Sequence, residues 1–388
     1  MEFSPVKILI CFRAHVSSLK RLQIHQEIGA TLIDNIPELD VDVVSVKPDQ
    51  LTAILYRYSA CKEVEYVERN WISKATSEPN GYSPNDSLFS LQWGHLKIQA
   101  PQSWSKIPSE VLNPNLTHNR EFEPKTDSSV VIAVLDSGIN KHHPDLSQKV
   151  VLNKNFSDSS TRDDLYGHGT HVAGIIGAIT NNRIGVAGVT FNAVKLMNVK
   201  VLNDNGRGTI SGTSKGIIFA ANHGAKVINM SLASTEPNET LHRAVRYATK
   251  KGVVLISSAG NYGTSQKHYP AAFPEVISVA ATDQNDQLAC FSNYGGSWVD
   301  VAAPGVSIWS TLPTHSNPMG SRDTGPLSGT SQASSFVSGL AGLILAINPK
   351  SKISVRRIIE SNTDPIPGQG ILYKFGRINA FKAVKNVT

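Results

Sequence analysis

Short apolar segments separated by polar ones occupy the first part of the chain, at spacings that alternate between those of strands and helices. Leu19 and Leu22 are three residues apart, and Ile24 and Ile28 are four apart, as on one face of a helix. The pattern predicts strands at 6–12, 30–36, 41–46 and 63–68, and helices at 17–29 and 48–60. This β-α-β-β-α-β order predicts a small ferredoxin-like α+β domain.

A polar stretch at 73–87, with Pro79, Gly81 and Pro84, predicts an exposed linker. Beyond it, strands are predicted at 130–135, 195–199, 226–230, 253–257, 276–281 and 298–302, with helices at 168–179, 212–223 and 241–251. Such alternation is typical of a doubly wound α/β fold with a mostly parallel sheet. We therefore predict two domains, 1–76 and 77–388, and a surface loop in the proline-containing segment 108–126.

Composition excludes several classes of protein. Hydrophobic residues make up 40% of the 388 residues and charged residues 18%, as in a globular chain with a sizeable core. The net charge of +6 comes from scattered basic residues, so no nucleic-acid partner is expected. No apolar run is long enough to span a membrane, and the three cysteines form no disulfide framework. Without a recognisable signal peptide, we expect a cytoplasmic monomer as the sequence stands, or a secreted one if a signal was removed.

The first candidate for chemistry is Asp136, which follows the apolar run 130–135. Ligands of open α/β sheets bind beyond the carboxyl ends of the strands, so this carboxylate can reach an imidazole on the next helix. An Asp that only caps a turn before Gly138 is the alternative interpretation.

The second candidate is His168 in the segment Gly-His168-Gly-Thr-His171-Val-Ala-Gly, where a helix is predicted to begin. One alternative interpretation is that His168 and His171 are both packed histidines with a structural role. A zinc site is another, but it needs a third ligand and usually His-Glu-x-x-His spacing, which this segment lacks.

The third candidate is Ser331 in Gly-Thr-Ser331-Gln-Ala, directly before a helix predicted at 332–347. The positive field of a helix N-terminus favours an oxyanion near this hydroxyl, although a capping serine would have the same location. Hydrolysis of an amide needs a nucleophile, a base and a carboxylate that orients the base. The three segments supply one candidate for each role.

Together, in the order Asp, His, Ser, these segments resemble the motifs of the subtilases, the subtilisin-like serine proteases. The resemblance covers nearly the whole chain, and the N-terminal unit is similar to a subtilase propeptide. It implies a serine endopeptidase acting on proteins or peptides, with Ser331 as nucleophile, His168 as base and Asp136 holding the imidazole. Asn261 would donate a hydrogen bond to the oxyanion. The propeptide would be an intramolecular inhibitor that the zymogen itself cuts off between about residues 71 and 82.

The resemblance also implies a substrate site. An extended peptide is expected beside Ser231, Leu232 and Ala233 and beside a second edge at 204–208. Gly260 and His268 are assigned to the same site. His268 either lines the floor of the primary specificity pocket, biasing it towards polar or acidic side chains, or points away from it.

A structural Ca²⁺ ion is the one cofactor that the resemblance implies. Its ligands would be the side chains of Asp86, Asp145 and Asn182 and the backbone carbonyls of Ile179, Ile184 and Val186. Hard oxygen ligands of this mixture suit Ca²⁺. A second family site falls near 155–166, but its acids are in a changed arrangement and we do not assign it.

Gln332 and Ser335 stand where the family motif carries Met and Pro. The altered motif leaves a narrower function open, that of a dedicated peptide-maturation protease or transpeptidase of the same fold. A catalytically silent binding module is a further alternative, and the complete set of motif residues argues against it.

Overall fold

A computed structural model of the chain describes residues 6–47, 50–70, 82–108, 130–351 and 353–385. The chain divides into two compact units, 1–78 and 79–388. Of the predicted cleavage segment at 71–82 and the predicted loop at 108–126, all but residues 82 and 108 lie outside the described residues.

The first unit is an antiparallel sheet covered by helices. Its elements are β1 (Val6–Phe12), α1 (Ser18–Ile28), β2 (Thr31–Ile36), β3 (Val41–Val46), α2 (Leu51–Ser59) and β4 (Val64–Arg69). The strand order is β2-β3-β1-β4, and each neighbouring pair is antiparallel. Ile8, Ile10 and Phe12 alternate along β1 and are buried in the core with residues of both helices. The predicted ferredoxin-like topology is confirmed.

The second unit contains a large sheet with helices on both faces and a separate two-stranded sheet formed by Ile308–Thr311 and Thr324–Leu327. Its strands are β5 (Val130–Asp136), β6 (Val150–Asn155), β7 (Val194–Lys200), β8 (Ala225–Met230), β9 (Val254–Ser258), β10 (Val276–Thr282), β11 (Val301–Pro304), β12 (Ile308–Thr311), β13 (Thr324–Leu327), β14 (Thr363–Asp364) and β15 (Arg377–Ile378). Its helices are α3 (Trp93–Lys97), α4 (Ala100–Trp104), α5 (His168–Gly177), α6 (Ile210–Asn222), α7 (Glu239–Lys250), α8 (Thr330–Ile347), α9 (Val355–Ser361) and α10 (Ala380–Lys385).

The strand order of the large sheet is β14-β15-β11-β10-β9-β8-β5-β7-β6, and within the described part of this sheet only the β14–β15 pair is antiparallel. The predicted doubly wound, mostly parallel sheet is therefore confirmed. After β7 the chain crosses over β5 to form β8 on its other side. The carboxyl end of β5 thus lies where the strand order reverses, which is where such sheets bind ligands.

Alternate residues of β5 face two separate cores. Ile132 and Val134 pack with residues of α5 and α8, whereas Ala133 and Leu135 pack with residues of α6 and α7. Because both faces of the strand are covered, its sequence is a continuous apolar run rather than an alternating one. The same run ends at the buried Asp136, so the position of this carboxylate is fixed by the packing of the whole strand.

Some predicted boundaries are wrong. The strand predicted at 298–302 lies at Val301–Pro304, because Trp298 belongs to a turn in which its indole N–H donates to the Ser265 carbonyl at 3.2 Å. Helix α8 begins at Thr330, so Ser331 lies inside its first turn rather than before it. The edge strand β6 and the hairpin of β12 and β13 were not predicted.

Helix α8 is an exception to the expectation that no apolar run could cross a membrane. In the described part of the chain, this one helix is long and apolar enough by length and composition. However, 83% of it is buried, and its residues join the core formed with α5 and the sheet. The helix is therefore a core element of the second unit.

Candidate active site

Asp136 and His168 form a direct hydrogen bond at the carboxyl edge of the sheet. Asp136 is the last residue of β5 and is fully buried, and His168 is the first residue of α5. The His168 Nδ1 atom lies 2.8 Å from Asp136 Oδ1, which also accepts the Ser137 backbone N–H at 2.7 Å. Because Nδ1 carries the proton in this contact, the Nε2 atom of the neutral ring is left as an acceptor.

The surroundings of His168 act in opposite directions on its basicity. Removal from water disfavours the imidazolium, but the adjacent carboxylate of Asp136 and the more distant one of Asp164 favour it. The net result is that the pKa of His168 lies above its ordinary value. The imidazole is thus suited to accept a proton from a neighbouring hydroxyl.

The segment that carries His168 is fixed by Asp164, a role that the sequence did not predict. Asp164 is fully buried and accepts hydrogen bonds from the Ser137 hydroxyl at 2.8 Å, the Gly167 N–H at 2.8 Å and both donors of Thr170 at 2.7 and 2.8 Å. These partners flank Asp136 on one side and His168 on the other. The carboxylate therefore joins the end of β5 to the start of α5.

Close backbone contact at the same point requires Gly169. A Cβ atom built there would lie 2.1 Å from the Gly138 carbonyl oxygen, which is far inside van der Waals contact. The Gly169 N–H donates to the Ser137 hydroxyl at 2.9 Å. The first turn of α5 consequently packs directly on the turn that follows Asp136.

Ser331 lies in the first turn of α8. Its backbone carbonyl accepts several hydrogen bonds, whereas its hydroxyl has no hydrogen-bond partner among the described residues. The Ser331 carbonyl accepts hydrogen bonds from the hydroxyls of Ser335 at 2.8 Å, Ser334 at 3.0 Å and Ser231 at 3.3 Å. Within the described residues, the Ser331 hydroxyl and backbone N–H have no protein partner. Ser331 as a whole is 6% exposed.

Helices α5 and α8 meet at their first turns through His171 and Gln332. The buried His171 lies with Nε2 3.1 Å from the Gly325 carbonyl and Nδ1 3.3 Å from the Gln332 amide nitrogen. Burial lowers the pKa of His171 to about 3, so this ring is neutral, and one nitrogen donates while the other accepts. These contacts fit the structural role predicted for His171 and give Gln332 a positioning role beside Ser331.

Asn261 is attached to the helix that carries Ser331. Its Oδ1 atom accepts the Thr330 N–H at 2.9 Å and the Thr330 hydroxyl at 2.8 Å. The oxygen is thus engaged, whereas the Nδ2 amide has no partner among the described residues. Gly329 makes this approach possible, since a Cβ atom there would lie 2.8 Å from Gln332 Oε1 and 3.3 Å from Asn261 Nδ2.

A cleft of about 690 Å³ begins at His168 and contains three of the predicted substrate residues. It is lined by Tyr166, His168, Leu202, Gly206, Arg207, Gly208, Thr209, Ile210, Thr213, Ser231, Leu232, Ala233, Ser234, Thr235, Leu241, Tyr262 and Tyr269. Residues of both predicted edges, at 231–234 and at 206–208, therefore line one cleft. In the described structure, the backbone groups of Leu232 and Ala233 make no hydrogen bond.

Gly260 and His268 lie together but outside the lining of this cleft. The Gly260 N–H donates to the Thr330 hydroxyl at 3.1 Å, and His268 Cγ is 3.5 Å from the position of a Gly260 Cβ. His268 is 2% exposed, its Nδ1 lies 3.0 Å from the Gln266 carbonyl, and its ring stacks on Tyr262 at 5.1 Å. These contacts give the ring an internal, packed position.

The loop predicted to bind calcium brings two buried carboxylates together. Asp145 accepts hydrogen bonds from the Asn182 amide at 2.6 Å and the Val186 N–H at 3.0 Å, and Asp86 accepts the Asn181 N–H at 2.8 Å. Burial raises the pKa of both carboxyl groups, and the charge of Asp145 adds to the effect on Asp86. The second oxygen of Asp86 is buried and unpartnered.

The predicted carbonyl ligands in this loop are also free. Among the described residues, no donor contacts the carbonyl oxygens of Ile179, Ile184 or Val186. The described chain contains no cluster of three or more His, Cys, Asp or Glu side chains, so a cation here would rely on carbonyl oxygens as well as the two carboxylates. Free carbonyls and an unpartnered buried carboxylate oxygen fit a hard cation.

The second loop, at 155–166, does not share these properties. Asp164 is fully engaged by the hydrogen bonds described above, and Asp163 contacts the Asn140 amide at 3.2 Å. Lys200 is completely buried, and its ammonium group donates to the Ser137 and Asp163 carbonyls and to Asp204. A fixed positive charge therefore already lies beside this loop.

Comparison with known proteins agrees with this geometry. Residues 127–377 match the model of the Subtilase family, and residues 2–70 match that of the Fervidolysin N-terminal prodomain. Thermitase of Thermoactinomyces vulgaris is 44% identical over 306 residues, covering 78% of this chain and 100% of thermitase. The thermophilic serine proteinase of Bacillus sp. strain AK1 is 37% identical over 380 residues, covering 97% of this chain and 87% of that protein.

The fold has a counterpart of known structure. The solved structure of proteases from Pseudoalteromonas arctica PAMC 21717 superposes with a TM-score of 0.67 at 29% identity, covering 79% of this chain and 99% of that one. The Subtilase match spans the large sheet and all three segments that carry Asp136, His168 and Ser331. The chain therefore belongs to the subtilase family of serine endopeptidases and carries a prodomain ahead of its enzyme unit.

Proposed function

We propose that Asp136, His168 and Ser331 form the catalytic triad of this endopeptidase. The proposal rests on the 2.8 Å hydrogen bond between Asp136 and His168, together with the Ser331 hydroxyl, which has no partner within the described residues. The contact between His171 and Gln332 brings the first turns of the two helices together. The proposed reaction requires a base and a nucleophile on these two turns to share a proton.

In the proposed reaction, His168 Nε2 removes the proton from Ser331 Oγ as the oxygen attacks the scissile carbonyl carbon. Asp136 keeps the ring in the required tautomer and stabilises the imidazolium that forms. The imidazolium then gives its proton to the leaving amine, and the peptide bond breaks to leave an acyl ester on Ser331. Water, deprotonated by His168, attacks this ester and releases the acid product and the free serine.

Two donors would stabilise the negative oxygen of the tetrahedral intermediates. One is the Asn261 Nδ2 amide, which is free because Thr330 holds the opposite atom of the side chain. The other is the Ser331 backbone N–H, which lies at the positive end of α8. Donors that are fixed before the reaction cost no reorganisation when charge develops.

The peptide would bind as an additional strand along Leu232 and Ala233. Their backbone groups are unpaired in the described structure, whereas Ser234 is already bonded to Tyr269 in both directions at 2.8 Å. An extended peptide can therefore pair with residues up to Ala233 and contact the opposite wall of the cleft with its side chains. Main-chain pairing gives general affinity, and the cleft walls give selectivity.

We further propose that the zymogen cuts itself between about residues 71 and 82 and that the released prodomain inhibits the enzyme. The match of residues 2–70 to a prodomain supports this idea. Intact mass of the wild type, Ser331→Ala and the control Ser328→Ala, expressed identically, tests it. Wild type and Ser328→Ala should split, and Ser331→Ala should stay whole. Equal cleavage of all three would assign the cut to another protease.

We also propose that Asp86, Asp145, Asn182 and the carbonyls of Ile179, Ile184 and Val186 bind Ca²⁺. The unpartnered oxygen of Asp86 and the raised pKa of both carboxyl groups support the proposal. When bound, the ion would neutralise two buried negative charges and stabilise the loop that follows α5. It has no part in the bond-breaking steps.

A further inference from the structure

Among the described residues, Arg207 is the one permanently charged side chain that lines the proposed substrate cleft. Apart from His168, the other lining residues in the described part of the chain are apolar, hydroxylic or aromatic, and none of them is a carboxylate. Arg207 is exposed. It belongs to the short hairpin that is closed by the pairing of Leu202 with Gly208, and it lines the same cleft as Leu232 and Ala233.

The guanidinium of Arg207 has no internal counter-charge. Within the described residues it makes no salt bridge or hydrogen bond. The carboxylate in the same hairpin, Asp204, accepts the buried Lys200 ammonium at 2.8 Å, and each of its oxygens lies 2.9 Å from the Ser159 hydroxyl. Partial burial works against ionisation of Asp204, but the hydrogen bonds from Lys200 and Ser159 hold its pKa below the usual range. Asp204 is therefore ionised and already paired.

The backbone beneath Arg207 is rigidly held. Asn203 Oδ1 accepts the N–H groups of Asn205 and Arg207, both at 3.0 Å, and the Asn203 N–H donates to the Arg207 carbonyl at 2.7 Å. The base of the side chain is thus fixed on one wall of the cleft. A bound peptide can meet the positive charge without a rearrangement of the hairpin.

We propose that Arg207 makes this protease prefer peptides with an Asp or Glu side chain in the segment bound along the cleft. The inference rests on the proposed peptide site and names the substrate class that this site favours. A bidentate pair between a carboxylate and the planar guanidinium is the expected contact. Since the pair lies at an exposed rim, it should raise kcat/KM by about two- to five-fold and should weaken at high salt.

The test compares peptides that differ at one position. In an otherwise neutral peptide, Glu, Gln or Lys is placed at each of the four positions on either side of the scissile bond, and kcat/KM is measured. The enzymes are the wild type, Arg207→Gln, Arg207→Glu and the control Lys226→Gln. Lys226 is exposed at the opposite end of β8 from Ser231, so its removal changes net charge without touching the cleft.

Wild type and Lys226→Gln should favour Glu over Gln at one position, by a factor that falls in 1 M salt. Arg207→Gln should abolish the Glu-to-Gln ratio, and Arg207→Glu should favour Lys at that position. A wild type without any preference for Glu, or a preference that survives in Arg207→Gln, would overturn the inference and leave the proposed function standing. If no peptide were cut faster by wild type than by Ser331→Ala, the proposed function would fail, and the inference with it.

Discussion

Replacement of His95 should make the second unit markedly less sensitive to acid. His95 is 1% exposed, and its ring packs against Phe89, Trp104 and Phe336 at centroid distances of 5.2 to 6.4 Å. Neither ring nitrogen has a partner at normal hydrogen-bond geometry in the described structure. Burial lowers the pKa of His95 to about 3, against 6.5 for the free side chain.

The sign of the effect follows from the direction of this shift. Because the unfolded chain binds a proton at His95 below about pH 6.5 and the folded chain does not until about pH 3, acid favours unfolding between these values. Each pH unit in that window costs about 1.4 kcal/mol. Between pH 7.5 and pH 5.0 the free energy of unfolding should therefore fall by about 2 kcal/mol through His95 alone.

The assay is urea unfolding at pH 7.5 and 5.0, followed by tryptophan fluorescence, with Ser331→Ala as the parent so that unfolded chains are not digested. Four of the five tryptophans, at 93, 104, 298 and 309, belong to the second unit. His95→Phe should lose about 2 kcal/mol less than the parent between the two pH values. Any cost of packing the larger Phe ring is the same at both pH values, so it cancels when the two free energies of unfolding are subtracted.

The control is His142→Phe, which removes an exposed histidine and should keep the pH dependence of the parent. His95→Leu should behave like His95→Phe, because both variants lack an ionisable ring. If His95→Phe and His95→Leu lost as much stability in acid as the parent, the buried ring would not be neutral in the folded chain, and the reasoning would be refuted.

Three further predictions concern the site and the calcium loop. Asn261→Ala should lower kcat by about 10²- to 10³-fold with little change in KM, because the lost donor acts on the transition state; an equal rise in KM would instead indicate ordinary substrate binding. Asp164→Asn should move the acid limb of the pH profile of kcat/KM to lower pH, since the Asp164 charge helps to raise the pKa of His168; an unchanged limb with reduced thermal stability would reduce Asp164 to a structural role. A calcium chelator should lower the melting temperature of Ser331→Ala, by the equivalent of about 2.7 kcal/mol if free Ca²⁺ was 100 times its Kd, whereas Asp145→Asn should not respond; equal responses of both proteins would argue against this loop as the binding site.

The sequence predicted the strand and helix ends that carry the proposed site because each motif is local. Asp136 ends a buried strand, His168 begins a helix, and Ser331 lies in the first turn of another, so each is marked by its own neighbours. The fold follows from the same alternation of strands and helices. The edge strand β6 escaped prediction because its partly exposed residues, Val150–Asn155, lack a long apolar run.

The contacts that position the site could not be predicted in the same way. Asp164 joins Ser137 to Thr170, and Lys200 reaches the Ser137 carbonyl from 63 residues away, through contacts that exist only in the folded sheet. In the sequence, a polar residue that is buried and hydrogen-bonded to several groups cannot be distinguished from a polar residue that is exposed to solvent. His95 is a similar case, since nothing near it in sequence indicates that three aromatic rings will surround it.

The most direct test of the central claim is covalent labelling of the nucleophile. Purified wild type, His168→Ala and Ser331→Ala are treated with phenylmethanesulfonyl fluoride, and the adduct is located by peptide mass spectrometry. The account predicts one sulfonyl group per wild-type chain, on Ser331, with strongly slowed labelling in His168→Ala and none in Ser331→Ala. Labelling of a different residue, or peptide hydrolysis by Ser331→Ala at the wild-type rate, would contradict it.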